Sequence, residues 1–151
     1  MSAYLDGLKM LARRELSEMQ VRQRLARKGH EAEAIDEAVA RLREGRALDD
    51  NRVAEAIART ETSIRRRGKV RVRMQIERAG ISKETAKRAI ADVLGTIDEG
   101  ALLESSLEKR LRGRDAIADD REFQRIYRYL IAQGFESDQV MRALSARRRR
   151  E

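Results

Sequence analysis

The chain has 151 residues and a formal net charge of +8, with 40% charged and 3% aromatic residues and neither proline nor cysteine. The lack of cysteine excludes disulfides and thiolate metal sites, and no apolar run approaches the roughly 18 residues needed to span a bilayer. The N-terminus lacks the basic and apolar regions of a signal peptide, so we expect a cytoplasmic protein. Helix-forming residues dominate, which predicts an all-α fold.

One sequence unit occurs three times. In each copy an apolar residue lies four positions before a glycine, and further apolar residues follow that glycine at six and ten positions. The three glycines, Gly29, Gly80 and Gly134, are separated by 51 and 54 positions. This internal repeat predicts three tandem three-helix modules of helix-turn-helix-like geometry, with the glycine between the second and third helix of each. We place the modules at 1–48, 49–95 and 96–151, the last with a basic C-terminal tail.

In the first module, apolar periodicity predicts a helix over 2–14. Ser17 and Gln20 then form a capping-box pattern, in which the hydroxyl and the amide each satisfy a free backbone N–H at a helix start. Gly29 is expected to end this second helix, because glycine tolerates left-handed geometry just after a helix. A third helix is predicted over 32–45.

The second module opens at the aspartate pair 49–50, where a carboxylate can cap a helix and favour its positive end. Apolar spacing that includes Ile64 predicts one long helix from there to about Arg67. Gly68 is expected to break this helix. Two further helices are predicted over 69–79 and 82–94.

The third module is predicted to begin near Asp98. Its second helix follows Asp119, which with Glu122 offers another capping pair, and it ends at Gly134. A third helix continues the apolar pattern beyond that glycine. We expect the arginine run 147–150 to be a frayed, solvated tail.

Several short stretches follow one another in an order that is more specific than any of them alone. The first is Leu-Ala-Arg-Arg-Glu at 11–15, followed by Ser17 and Glu18, and the second is Leu25 with Gly29. The third is Leu48, Asp49 and Asp50, followed by Arg52, Val53 and Ala54. The fourth is Gly68, followed by Ile76, Gly80 and Ile81. In these residues, and across nearly its whole length, the chain resembles the RecX family of bacterial regulatory proteins. It departs from the family's pattern at His30, where an aromatic is common, and at Lys69, where proline is common.

The resemblance implies a fold of three tandem three-helix modules that form an elongated, curved body. It also implies a function, the binding of the RecA recombinase and above all of its nucleoprotein filament on single-stranded DNA. RecX proteins restrain filament growth, ATPase, coprotease and strand-exchange activities, and so modulate DNA repair, homologous recombination and the SOS response. We therefore expect a monomeric regulator with, at most, weak direct DNA binding.

Positive charge is concentrated in the middle module. Residues 49–95 carry 12 lysines and arginines against 7 acidic residues, whereas the flanking modules are close to balanced. A polyanionic partner should therefore meet the middle module first, unless this is an ordinary solvated surface of mixed charge. The basic side chains predicted to contact RecA or DNA are Arg65, Arg66, Arg67, Lys69, Arg71, Arg73, Lys83, Lys87 and Arg88.

Two apolar residues, Val70 and Met74, stand among these arginines. If Val72 and Ile76 face the core, the 100° helical step puts Val70 and Met74 on nearly the opposite side of the helix. The pair is either an anchor for a partner, with methionine adapting its shape to a protein surface, or a seam against a neighbouring module. The residues alone leave both interpretations open.

The sequence holds no recognisable catalytic or metal-binding constellation. The single histidine, His30, has neither a cysteine nor a second imidazole to work with, and we expect its ring to pack where Ile81 and Phe135 stand in the other copies. Helix capping explains the aspartate pair 49–50, and the glycine–cation stretches lack the other residues of a phosphate loop. We predict no enzymatic activity and no catalytic, cofactor or metal site.

A general DNA-binding protein that acts by competing for DNA is the alternative function. Against it, the third helices of the first and third modules begin with acidic residues, which repel phosphates. Tyr4 is the only aromatic residue before Phe123, so base stacking on aromatic rings is also poorly supported. A scaffold with no RecA involvement is a further alternative.

Overall fold

A computed structural model describes residues 2–95 and 97–148, and within these ranges the regular structure is helical apart from one isolated bridge between Ile117 and Arg148. The described helices are α1 Ala3–Arg13, α2 Glu18–Arg27, α3 Ala32–Glu44, α4 Asp50–Arg59, α5 Lys69–Arg78, α6 Lys83–Leu94, α7 Glu99–Leu111, α8 Asp120–Gln133 and α9 Ser137–Ala146. A π-helical turn, Thr60–Ile64, continues α4. The all-α prediction is confirmed.

Three separate hydrophobic clusters hold the helices in groups of three, which we call module 1 (α1–α3), module 2 (α4–α6) and module 3 (α7–α9). The apolar residue four positions before each repeat glycine is fully buried within its own cluster; these residues are Leu25, Ile76 and Leu130. The tandem architecture predicted from the repeat is thus confirmed. The residue boundaries between modules stay a prediction.

The repeat glycines end the second helix of each module, as predicted. Gly29, Gly80 and Gly134 have φ angles of +94°, +82° and +100°, in the left-handed region that glycine adopts at little cost. The chain can therefore turn sharply at each of these points and begin the third helix of the module.

Short polar side chains begin the second helices where the sequence predicts caps. The Ser17 hydroxyl accepts from the Gln20 backbone N–H at 3.2 Å, and the Gln20 side-chain oxygen accepts from the Ser17 N–H at 2.9 Å, so the capping box is complete. Asp119 accepts from the Glu122 N–H at 2.8 Å. The Glu122 carboxylate accepts from the N–H of Ala118, whereas in a standard capping box it would accept from the N–H of Asp119. This second pair is therefore a variant of the box.

The long helix predicted to reach Arg67 is shorter, and this expectation was wrong. After Arg59 the hydrogen bonding widens to a π turn, in which the N–H of Arg65 donates to the carbonyl of Thr60 at 3.1 Å. The extra residue in that turn rotates the following side chains, so Ile64 is 76% exposed although α-helical spacing would bury it. Arg66 then leaves the helix with a φ of +54°.

Gly68 does not act through left-handed geometry, because its φ is −78° and its ψ is 164°. A side chain at this position would place its Cβ 2.5 Å from the carbonyl carbon of Gly134 and 2.6 Å from the nitrogen of Phe135. Two backbones therefore meet here, and the lack of a side chain is what permits the approach.

The C-terminal arginines are more ordered than expected, as far as the described residues reach. Arg147 forms an ion pair with Glu104 at 3.0 Å, and its carbonyl accepts from the N–H of Ile117 at 2.8 Å. The guanidinium of Arg148 lies 4.6 Å from the centre of the Phe123 ring. The prediction of a frayed tail is wrong for these two residues, because both contact distant helices, although the Arg148 side chain stays 60% exposed. Arg149 and Arg150 lie outside the described residues.

The two joints between modules share one construction. At the first joint, the N–H of Glu18 at the start of α2 donates to the Asp50 carboxylate at the start of α4, over 2.9 Å. At the second, the N–H of Lys69 at the start of α5 donates to the Glu99 carboxylate at the start of α7, over 3.1 Å. Each carboxylate occupies the first position of its helix, so the sequence repeat is also a repeat of the stacking contact.

At each joint, the start of the second helix of one module also contacts the end of the second helix of the following module. The Ser17 hydroxyl donates to the carbonyl of Ala79 in a short hydrogen bond, and the Gly68 N–H donates to the carbonyl of Gln133 at 2.9 Å.

Candidate partner-binding groove

The structure separates the predicted basic site into two groups of residues. The first group has partners within the chain, mostly at the joint between modules 2 and 3. The contacts are Arg65 with Glu61 at 3.4 Å, Arg66 with the Ser105 hydroxyl at 2.9 Å, Arg71 with the carbonyl of Ala132 at 2.8 Å, and Lys69 with Glu136 at 3.0 Å. The hydrogen bond to Glu136 raises the pKa of Lys69, so this lysine keeps its charge at the joint.

Arg67 belongs to the same group and is only partly exposed. Its side chain is 18% exposed and lies 3.8 Å from the carboxylate of Glu61, which is itself 7% exposed. Its backbone N–H donates to the Glu61 carbonyl at 2.8 Å. Removing one member of such a buried pair leaves the other charge uncompensated, so Arg67 and Glu61 are tied to the structure of the π turn.

The second group faces solvent. Arg73, Lys83, Lys87 and Arg88 are exposed, and in the part of the chain that the structure describes none of them has an ion pair or a side-chain hydrogen bond. Arg73 lies only two residues beyond Arg71, yet its side chain has no counterpart of the Arg71 bond to module 3 among the described residues. These cations are therefore available to another molecule.

Three of the free cations line a groove of about 730 Å³ between α5 and α6. We call its three exposed cations, Arg73, Lys83 and Lys87, the rim of the groove. We call its apolar lining residues, Val70, Ile90, Ala91 and Leu94, the floor. We call this surface the module 2 groove.

The two ends of the module 2 groove differ in charge. Lys83 begins α6 and lies at the turn that joins α5 to α6, beside Glu77. The opposite end, where α6 finishes, borders the joint and is lined by Lys69 together with Glu99 and Glu136 of module 3. Free positive charge therefore lies toward the turn, and the carboxylates of module 3 lie toward the joint.

Val70 and Met74 lie on the solvent side of α5, as the helical step predicted. They are 36% and 46% exposed, whereas Val72 and Ile76 are fully buried. The side chain of Val70 lines the groove while its backbone N–H donates to the Gly134 carbonyl at 3.1 Å, so this residue borders the joint without being sealed in it. Whether the pair contacts a partner stays a prediction.

A second cationic surface, on module 3, was missed by the sequence reasoning. Lys109, Arg110, Arg112, Arg114 and Arg125 surround a depression of about 600 Å³. Much of this charge is engaged, since Arg114 forms two bonds to Glu122 at 2.9 and 2.7 Å and Arg110 lies 3.6 Å from the centre of the Tyr129 ring. The alternation of cations over 109–114 was the signal available in the sequence.

The side chain of His30 is partly buried in module 1 and has a partner that the sequence did not reveal. Its ring is 15% exposed, and its Nε2 lies 2.6 Å from the Asp6 carboxylate, whose side chain is 3% exposed. This hydrogen bond holds the pKa of Asp6 below its ordinary value, with Lys28 adding a weaker effect. Within 2–95 and 97–148, no group of three or more histidine or acidic side chains could hold a metal ion.

The described helices are each too short or too polar to cross a membrane. Three stacked three-helix units and an open groove define a tandem helical-repeat protein. The protein-family model of the first three-helix domain of RecX matches residues 3–42 of the sequence, and that of the third three-helix domain matches residues 98–144. The chain belongs to the RecX family of regulatory proteins.

Relatives and solved structures agree with this assignment. The chain is 30% identical over 147 residues to the regulatory protein RecX of Syntrophotalea carbinolica, covering 97% of this chain and 96% of that one. It is 32% identical over 140 residues to the regulatory protein RecX of Halorhodospira halophila, covering 93% and 84%.

The fold is shared with RecX from Lactobacillus salivarius, at a TM-score of 0.81 and 18% identity, covering 95% of this chain and 92% of that chain. A further crystal structure of a regulatory protein RecX has a TM-score of 0.76 and 22% identity, covering 95% and 70%. At these identities the likeness concerns the fold alone.

Proposed function

We propose that this protein binds RecA and its nucleoprotein filament and inhibits filament growth, ATPase, coprotease and strand-exchange activities. Membership of a family of regulatory proteins named RecX supports a regulatory role, and the family resemblance implies RecA as the partner. The observation that carries the proposal at the level of residues is the exposed group of Arg73, Lys83 and Lys87, which lack ion pairs within the described chain. Exposed, unpaired cations are suited to a polyanionic partner.

The proposed action is binding without chemistry, by a monomer in the cytoplasm. A regulator of this kind changes RecA by favouring one state of the filament over another, so its effect is limited by its differential affinity for those states. It modulates recombination and the SOS response through that shift in population.

Titration of RecA ATP hydrolysis tests the proposal. RecA and single-stranded DNA are held constant while this protein is added, and inhibition is expected when the protein is far scarcer than RecA. A regulator that needs amounts comparable with the DNA present would instead be a competitor for DNA. The salt dependence gives a second reading, because a DNA competitor shows the steep slope of phosphate neutralisation.

General DNA binding is the second candidate function. The cationic depression of module 3 favours it, since Lys109 and Arg112 lie there without ion pairs among the described residues. Binding to a labelled single-stranded oligonucleotide without RecA separates the two candidates. Binding as tight as that to the RecA filament would favour competition for DNA.

A further inference from the structure

We propose that the module 2 groove binds an acidic segment of a partner protein, with an apolar residue of that segment seated on the groove floor. The proposal rests on the proposed function only in taking RecA as the protein that carries the segment. Its physical basis is the arrangement of free cations around an apolar floor, with acidic side chains at one end.

The rim of the groove is suited to carboxylates. Arg73 offers a guanidinium that can bind a carboxylate through two parallel hydrogen bonds, and Lys87 offers an ammonium group on the facing helix. Glu77 is the one acidic side chain lining the groove that does not belong to module 3. A segment with carboxylates near the turn between α5 and α6 would therefore satisfy charges that have no ion pair within the described chain.

The floor of the groove distinguishes a protein segment from a nucleic acid. Val70 is 36% exposed, and Ile90 and Leu94 are partly exposed beside it, so an apolar side chain placed there would remove hydrophobic surface from water. A phosphate backbone gains nothing from such a floor. It would also approach Glu99 and Glu136 at the joint, where like charges repel.

The length of the groove sets the size of the segment. Helix α6 has 12 residues and at 1.5 Å per residue is about 18 Å long. About five residues in extended conformation, or about twelve in a helix, span that distance. The charge difference between the ends also sets a direction, with the carboxylates of the segment near Lys83 and its apolar or basic part near the joint.

Photo-cross-linking identifies the segment directly. Met74 is 46% exposed and lies one helical turn from Val70, so Met74→p-benzoylphenylalanine places a reactive group beside the groove. After irradiation with RecA, with and without single-stranded DNA, the attached peptide is sequenced by mass spectrometry. We expect a RecA segment with at least two carboxylates and an apolar residue. Attachment to DNA alone, or to a segment without acidic residues, would overturn the proposal.

Binding measurements test the same groove by substitution. Arg73→Glu with Lys87→Glu should weaken binding to RecA about tenfold or more, because like charges then face each other. Val70→Ser should weaken it about three- to tenfold by removing apolar contact. The matched control is Arg121→Glu with Arg142→Glu, two exposed residues of module 3 outside both cationic surfaces, which makes the same change in net charge and should have a much smaller effect.

The outcomes separate this inference from the proposed function. If the wild-type protein does not bind RecA, both are wrong. If it binds and the groove variants bind equally well while keeping their helical circular dichroism, the groove proposal alone is overturned. Equal losses in the groove and control variants would mean that net charge, not the groove, governs binding, which overturns the proposal as well.

Discussion

The joint between modules 2 and 3 makes Gly68→Ala a sensitive test of how the array is held together. Alanine adopts the φ of −78° and ψ of 164° found at this position without strain, so the substitution acts through space alone. Its Cβ would lie 2.5 Å from the carbonyl carbon of Gly134 and 2.6 Å from the nitrogen of Phe135. These are backbone atoms that cannot rotate away, so the two modules must separate.

The expected loss of stability can be estimated from the contacts that separation removes. Forcing extra volume into a packed contact costs about 1–3 kcal/mol. The bonds from the Gly68 and Val70 N–H groups to the carbonyls of Gln133 and Gly134, at 2.9 and 3.1 Å, would lengthen. Each is worth about 1 kcal/mol, whereas alanine recovers about 0.4–1 kcal/mol by restricting the unfolded chain. We expect a net loss of about 2–5 kcal/mol and a fall in Tm of about 4–20 °C.

Thermal unfolding followed by circular dichroism measures the change, and amide hydrogen exchange at residues 68 and 70 locates it. The matched control is Gly45→Ala, because Gly45 also has a φ of −78° and an added Cβ there would meet only the Arg41 carbonyl, at 3.5 Å. That variant should stay within about 0.5 kcal/mol of the wild type. If both variants melt at the same temperature, the close approach at Gly68 does not hold the joint and the reasoning is refuted.

Two further predictions concern charges in and beside module 1. The bond to His30 lowers the pKa of Asp6, so the stability that this carboxylate contributes is present above about pH 3.9, the ordinary pKa of an aspartate, and is lost as the pH falls below that value. Asp6→Asn should be less stable than the wild type at neutral pH and should lose less stability on acidification to pH 2. Acid titration of the folded fraction would show or contradict this. Arg52 forms two bonds to Glu15, at 2.9 and 3.1 Å, and also donates to two loop carbonyls, so Arg52→Ala should cost about 1–2 kcal/mol in urea unfolding. Arg59→Ala, which breaks only an exposed pair with Glu55, should cost less than about 0.5 kcal/mol, and equal losses would count against the difference drawn between the two sites.

Features decided by neighbouring residues could be predicted from the sequence. A capping box needs only Ser17 and Gln20, and a left-handed helix end needs only a glycine such as Gly80. Burial of one helix face follows from apolar spacing over about two turns. The glycine and the apolar spacing recur in all three modules, which is why helix order and fold class were predicted correctly.

Features decided by distant contacts could not be predicted. Arg71 and Arg73 are both positive residues of α5, and nothing in the sequence around them separates their roles. Arg71 donates to the carbonyl of Ala132, 61 positions away, whereas the Arg73 side chain has no hydrogen-bond acceptor among the described residues. The predicted site therefore includes residues that hold the modules together as well as exposed residues, and its role in binding stays a prediction.

The amino-acid sequence by itself determined that this protein is a threefold helical repeat with its positive charge concentrated in the middle copy, because periodicity, caps and charge are properties of short segments. Only the tertiary structure decided which of those charges are free. Stacking of the modules brings carboxylates and carbonyls of module 3 against the start of α5 and leaves the groove beside it open. The physical reason is that the partners of a charged side chain are chosen by the folded chain in space, at separations along the sequence that no local pattern records.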